Sequence, residues 1–482
     1  MQRTACSVVR PGIAFLCLQT LHNTVTVNRN ETLSAWEASL SKKPFYKSSF
    51  ITGTLLLTIA GVLTRIIGFF YRVFLSRIIG AEGLGIYQLV SPVMAVGFAV
   101  TAAGIQTAIS KFVSMEIGRK NPAGAKRYLL IGLVISLSLS ALTGVLVWKY
   151  ADFIAASWLG DARCGPLLAV LSLSFVPSCV HACINGYYYG LRKTAIPSVC
   201  QLVEQVARVG SVFLMYQISV NEQRPLALSV TMWGIVIGEV ASTLVSVSAA
   251  RFLPGKGVPS IRISVCTRNL LAMAVPLTAN RVVLNLFATF ENVMIPNRLR
   301  AFGYTSSEAL AVYGILTGMS MSVIMFPSVI ANSVSVLLLP TISEAQAAGN
   351  GPLIRRTIRK TIETCLALGL FCTTGFLLAG DFLGNALFGN ALSGTFIVTL
   401  GWICPFLYLS ATLNSVLQGL GYPGITFCLN LVGCGVRILF VLLAVPMWGI
   451  KSYLVGMLVS QVVMAGCAMV ILKKKTSLQI FL

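Results

Sequence analysis

Acid and histidine are what this chain lacks. Its 482 residues carry 14 aspartates and glutamates against 36 lysines and arginines, with two histidines. A hydrolase needs a nucleophile with an oriented base, or two carboxylates flanking a bond, and neither constellation can be assembled from so few groups. Nucleotide hydrolysis is excluded as well. The Gly255-Lys256 pair has Ala250 where a P-loop needs its first glycine and Gly257 where it needs Ser or Thr. The chain is therefore expected not to be an enzyme.

Charge of either sign is scarce, at 10%, while 56% of the residues are hydrophobic and the mean hydropathy is +0.84. That excess of apolar side chains over what one soluble core absorbs makes lipid the solvent. The basic excess sits in short clusters between apolar runs, with no stripe interleaved with aromatics, so it marks membrane topology and not nucleic acid. The 13 cysteines are an odd number, and Cys179, Cys183, Cys365, Cys372, Cys428 and Cys434 lie within apolar segments, which excludes a disulfide framework. Cys179, His181 and Cys183 have ligand-like spacing, but His22 is remote and no further cysteine pair follows. They read as helix-packing residues, and neither metal nor cofactor is expected.

Runs long enough to span, about 20 residues each, begin near Phe50, Leu84, Tyr128, Pro166, Ile196, Leu226, Leu270, Ala309, Thr361, Ala391, Gly424 and Gly449. The fold class that follows is an all-α membrane protein of about twelve spanning helices. Residues 1–41 read as a disordered N-terminal extension, 42–250 as an N-lobe of helices 1 to 6, 251–268 as a Pro/Gly-rich cytoplasmic linker, 269–472 as a C-lobe of helices 7 to 12, and 473–482 as a tail. Alternate connections collect the basic residues. Lys42, Lys43, Lys47, Lys111, Arg119, Lys120, Lys126, Arg127, Arg192, Lys193, Arg355, Arg356 and Lys473 to Lys475 share one side with the linker, whereas Arg77, Lys149, Arg163, Arg300 and Lys451 are on the other. Both termini are expected in the cytoplasm.

The halves repeat. Arg72, Glu82 and Tyr87 recur as Arg298, Glu308 and Tyr313 at an offset of 226; Asn121, Gly160, Asn185 and Arg208 recur as Asn350, Gly389, Asn414 and Arg437 at 229. Six helices per half is an even number, so the repeats are parallel and the lobes face each other across a central cavity. Ionisable residues inside the runs are costly and so are functional candidates: Arg65, Glu204, Arg208, Glu239, Arg281, Glu291 and Arg437, with Arg72 near a helix end. The arginines suit an anionic ligand, since a guanidinium keeps its charge and presents a fork of donors to phosphate oxygens. Arg65, Arg72, Arg281 and Arg437 are assigned to substrate in the cavity, and Glu291, Glu239, Glu204 and Arg208 to gating or ion coupling. Glu204 and Arg208, four residues apart, also read as an ion pair on one helix face. At offset 226 Arg65 aligns with Glu291, which suggests a latch between them on the outer side of the cavity. Pro92, Pro177, Pro276, Pro327 and Pro405 mark expected kinks.

Thr64-Arg65-Ile66-Ile67-Gly68, continuing through Arg72 and Ser76 to Tyr87, resembles the first-helix signature of the stage V sporulation protein B-like polysaccharide-flippase family. Ile295 to Leu299 and Leu339 to Ser343 are similar to its second half, and the likeness spans roughly Lys42 to Lys475. That family belongs to the multidrug/oligosaccharidyl-lipid/polysaccharide exporter superfamily. The resemblance implies an alternating-access carrier, functional as a monomer in the bacterial cytoplasmic membrane, that moves an undecaprenyl-pyrophosphate-linked saccharide for wall, capsule or sporulation chemistry. Arg65 and Arg72 fall on or near its pyrophosphate-binding arginines. The rival reading is a cation-coupled multidrug antiporter of the same fold, with Glu239 and Glu291 as its acids.

Overall fold

In lipid a backbone amide finds no water, so apolar runs of spanning length satisfy their own hydrogen bonds as helices. The computed structural model follows this rule: no strand occurs among the described residues, which are 44–223, 227–251, 262–347 and 349–476. The expected extension 1–41, most of the expected linker and the end of the tail lie outside them. The chain divides into Met1–Leu55, of which residues 44–55 are described and helical, and Leu56–Leu482, to which everything below refers.

Twelve long helical elements run in order: α1 (Leu56–Ile78), α2 (Gly80–Gly118), α3 (Pro122–Lys149), α4 (Cys164–Ser172, then Phe175–Gly190), α5 (Ala195–Asn221), α6 (Ser229–Ala250), α7 (Ile263–Phe302), α8 (Ser306–Met325, then Ser328–Ala347), α9 (Gly351–Phe388), α10 (Ala391–Gly401, then Cys404–Gly419), α11 (Pro423–Leu443) and α12 (Ile450–Thr476). Among the described residues nine are long and apolar enough to span singly, and the two bent pairs α4 and α10 bring the number to eleven. The twelfth, α5, falls short in apolarity. It places Gln201, Glu204, Gln205 and Arg208 on successive turns, and this polar stripe faces a cavity.

The repeat is visible in irregularities as well as in helix count. α4 bends by 45° and α10 by 58°, each at a two-residue break, and the segments that follow, Phe175–Gly190 and Cys404–Gly419, are both 16 residues long and lie 229 residues apart. Pro177 and Pro405 sit in the first turn after each break, where the missing N–H removes no helical bond. Pro327 lies in the break of α8, whereas Pro92 and Pro276 are accommodated inside continuous helices. A π-helical stretch interrupts α2 at Ala99–Ala103 and α8 at Ile315–Ser320. Asn121 and Asn350 cap α3 and α9 alike, each side-chain oxygen accepting a backbone N–H at 3.0 Å.

Within the first half α5 packs on α6 and α4, and α4 on α2 and α3; within the second, α9 packs on α10, α10 on α8, and α11 on α12. The halves meet where the first segments of α2 and α8 cross, and along α7. α7 begins at Ile263, inside the stretch expected as linker, and its 40 residues serve both halves. Cys266, Leu270 and Ala274 join the core of Ile105, Ile109 and Tyr128, while Glu291 and Val293 face the second half.

Candidate functional site

Thr64, Arg65, Gly68, Tyr71 and Arg72 recur at three- and four-residue spacing, so α1 turns one stripe of them toward α5 and α8. With Gln201, Glu204, Gln205 and Arg208 of α5 and Ser322, Ser328 and Asn332 of α8 they line a cavity of about 590 Å³ between the halves. Arg72 Nη1 donates to Ser322 Oγ at 3.0 Å, and Arg208 Nη2 donates to Glu204 Oε1 at 2.6 Å. No hydrogen bond or ion pair engages Arg65 among the described residues. Three guanidiniums therefore share a cavity with one carboxylate, two turns of helix separating Arg65 from Arg72, about 10 Å. This excess of fixed, forked donors favours an anion with several oxygens.

Behind α5, away from the cavity, lies a second group. His181 Nε2 is 2.7 Å from Glu239 Oε2, and Arg208 Nη2 reaches to 3.9 Å from Glu239 Oε1 while holding Glu204. His181, Glu204 and Glu239 present ligand atoms within 4.8 Å of one another. His181 was read from sequence as packing; it turns away from Cys179 and Cys183, which bond Ser140 and the Gly132 carbonyl, toward acids on two other helices. Its signal in the sequence was an imidazole placed mid-membrane in a chain with two histidines.

The second half spends its repeat arginine differently. Arg437 Nε donates to Glu291 Oε1 at 2.7 Å, Tyr453 OH donates to the same oxygen at 2.8 Å, and Arg437 also reaches Ser460 and Cys434. The latch expected between Arg65 and Glu291 is therefore absent in this conformation. Glu291 is buried against its own half's arginine, while Arg65 stays at the cavity. Arg281 lies apart, beside a separate pocket of about 450 Å³ with Gln106, Lys111 and Tyr189, its Nη2 3.5 Å from Thr107 Oγ1. Ser322, Gln201 and Gln205 escaped the sequence reading because uncharged polar residues are ordinary in spanning helices; the i, i+4 repetition of α5 is what marks the two glutamines.

The end of the bundle holding Ile78 and Gly80 is tied shut across the halves. Gly85 of α2 and Gly314 of α8 pack so closely that a Cβ on Gly85 would strike the Leu310 carbonyl and one on Gly314 the Ala81 carbonyl. Arg77 donates to the Leu387 and Ala386 carbonyls at the C-terminus of α9, at 3.0 and 2.6 Å, where the helix dipole favours a cation. In the turn before α4, Asp161 accepts from Arg163, which also binds Glu82 at 2.7 Å, and Arg300 donates to the Gly160 carbonyl. Partial burial works against the Asp161 carboxylate, but the Arg163 hydrogen bonds outweigh it and hold it below the usual carboxylate range.

Comparisons with known proteins fit this architecture. Residues 50–346 match the family model described as "Polysaccharide biosynthesis protein". Stage V sporulation protein B of Bacillus subtilis (strain 168) is 28% identical over 415 residues, covering 84% of this chain and 80% of that protein. Lipid II flippase MurJ of the same organism is 24% identical over 408 residues, covering 77% and 73%. In fold, the chain is similar to an inward-facing multidrug resistance MATE family transporter of the MOP superfamily, with a TM-score of 0.71 at 14% identity over 86% of this chain and 94% of that one.

Proposed function

Because the chain belongs to the polysaccharide biosynthesis protein family, we propose that it is an alternating-access flippase exporting an undecaprenyl-pyrophosphate-linked saccharide, a cell-wall or polysaccharide precursor, across the cytoplasmic membrane. The observation that carries this reading is the charge of the central cavity: Arg65, Arg72 and Arg208 against Glu204, with Ser322 beside Arg72. A pyrophosphate brings several oxygens and at least two negative charges, and Arg65 and Arg72 offer forked donors about two turns apart to receive them. The saccharide fits a polar cavity and the prenyl chain stays in lipid, so only the headgroup needs to enter the protein. Relatives that include a lipid II flippase support the substrate class.

Reconstitution into vesicles tests it. Labelled prenyl-pyrophosphate saccharide should become accessible on the far leaflet with the parent protein and not with Arg65→Gln/Arg72→Gln.

One observation favours a second reading, a cation-coupled multidrug antiporter: the His181, Glu204 and Glu239 group offers acid where such carriers need it, within a fold shared with a MATE transporter. Proton-coupled efflux of cationic drugs, with no movement of lipid-linked sugar in the same vesicles, would reverse the ranking.

A further inference from the structure

We infer that His181, Glu239 and Asn185 form a proton-binding site inside the first half, and that Arg208 links its occupancy to the anion cavity. The argument begins with charge. Glu204 and Glu239 carry two negative charges and Arg208 one positive, all in the interior of a helical bundle in lipid, where a net buried charge is expensive. One added proton on His181 brings the group to neutrality. A divalent metal would overshoot it, and sodium prefers an all-oxygen shell to an imidazole beside a guanidinium.

Hydrogen bonding points to the same ligand. His181 is held at both ring nitrogens, Nε2 by Glu239 at 2.7 Å and Nδ1 by Asn185 Nδ2 at 3.4 Å. Asn185 is 8% exposed, and its Oδ1 is buried with no partner. An amide offers an oxygen or an NH₂ group to the same neighbour by turning over. With NH₂ toward the ring, Asn185 matches a neutral imidazole that accepts at Nδ1 and donates from Nε2 to Glu239. With the oxygen toward the ring, it accepts from the Nδ1–H of an imidazolium. In the orientation present Oδ1 makes no bond, so no second partner fixes the amide against turning over. A fixed structural ion pair has no use for such an ambivalent partner; a group that loads and unloads a proton does.

The link to the cavity runs through Arg208. The groups facing this site are Glu239 from α6, Glu204 and Arg208 from α5 and Asn185 from α4, with Tyr71 of α1 and Tyr87 of α2 bordering the cavity side of Arg208. When His181 is protonated, Glu239 is neutralised by its own partner, and Arg208 is released to Glu204 and the cavity. When the proton leaves, Glu239 competes for Arg208, which lies 3.9 Å away, and draws it back. An anion in the cavity and a proton on His181 therefore favour each other, and by linkage each raises the affinity for the other equally.

The two histidines make the site directly observable. Protein labelled only at histidine gives two ring signals in lipid nanodiscs, and the one lost in His181→Gln is assigned. That signal should be an imidazolium at pH 7 in the parent and a neutral ring at pH 7 in Glu239→Gln. A neutral ring in the parent, or one that shifts on adding Na⁺, would overturn the site.

The link rests on the anion reading of the cavity, and calorimetry with inorganic pyrophosphate in buffers of different ionisation heat separates the two. At a pH high enough that the histidine signal of the ligand-free parent is a neutral ring, parent protein should take up as much as about one proton more per pyrophosphate than His181→Gln does. Equal uptake would remove the link and leave the anion cavity standing. No binding heat from either protein would remove the anion reading and the link together, while the histidine spectra still decide the proton site.

Discussion

Arg65 and Arg437 both sit inside apolar helices and have opposite fates. Arg437 is satisfied by Glu291, Ser460 and Cys434, so its charge is neutralised inside the second half; Arg65 has no such partner among the described residues and faces the cavity. Replacing Arg65 or Arg72 by Gln should cost pyrophosphate affinity about 10- to 100-fold each, the worth of one charge-assisted contact, with little change in thermal stability. Glu291→Gln should do the reverse. It leaves a mostly buried guanidinium without its charge partner, at a cost of about 3–5 kcal/mol read as a lower melting temperature in detergent. The sequence marks Arg65, Arg437 and Glu291 as charges in lipid, but that Glu291 pairs with Arg437 and not with Arg65 is a tertiary fact. Offset 226 aligns Arg65 with Glu291, yet equivalent positions in a repeat point toward the same axis only if the helices keep the same tilt. α7 packs on α2 and α3 as well as on α11, so its Glu291 is turned to a partner of its own. Asp161 supplies a prediction in pH. Its carboxylate is held below the usual range by Arg163, so its contribution is present above the unfolded-state value and is lost as pH falls through the lower folded value. Thermal unfolding followed from pH 6 down to pH 3 should show an acid-side loss that Asp161→Asn lacks.

Among elements, α2 and α8 carry the closure. Their glycines put backbone against backbone at Gly85 and Gly314, the close approach that small residues permit between membrane helices. Such a contact holds by packing and not by a deep hydrophobic term, because lipid tails are as apolar as the helix surface. It is therefore suited to separate and re-form. Gly85→Val or Gly314→Val should prevent this crossing and bias the protein toward opening at the Gly80 end. A cysteine at Ser322, beside Arg72, should then react faster with a membrane-impermeant thiol reagent added from that side; unchanged reactivity would assign the crossing to stability alone. The helices themselves were legible, because period, length and internal repeat all follow from the demand that lipid-exposed backbone close its own hydrogen bonds. The bends of α4 and α10 were legible only as prolines. Pro92 and Pro276 look the same in sequence and leave their helices unbroken, so neighbours, and not the residue type, decide where a proline becomes a break.

At the scale of the molecule, the Gly80 end is closed by three independent devices: the α2–α8 crossing, Arg77 on the end of α9, and the Asp161–Arg163–Glu82 turn with Arg300 on Gly160. The direction this conformation faces depends on which side of the membrane that end occupies, and charge argues for the outside. The opposite connections hold Arg119, Lys120, Lys126, Arg127, Arg192, Lys193, Arg355 and Arg356, and basic loops of this length are retained in the cytoplasm. On the proposed function, a cavity of arginines reached from the basic end would meet a pyrophosphate headgroup in the leaflet where such precursors are built, and the field of those loops would draw it in. The orientation is open to direct measurement. In cells expressing single-cysteine versions of a cysteine-free background, an impermeant maleimide added outside should label Asp161→Cys and spare Lys120→Cys. Labelling in the opposite pattern would turn the closed end inward. Arg65 and Arg72 would then face the outer leaflet, and a carrier with this charge distribution would have to import its anion instead of exporting it.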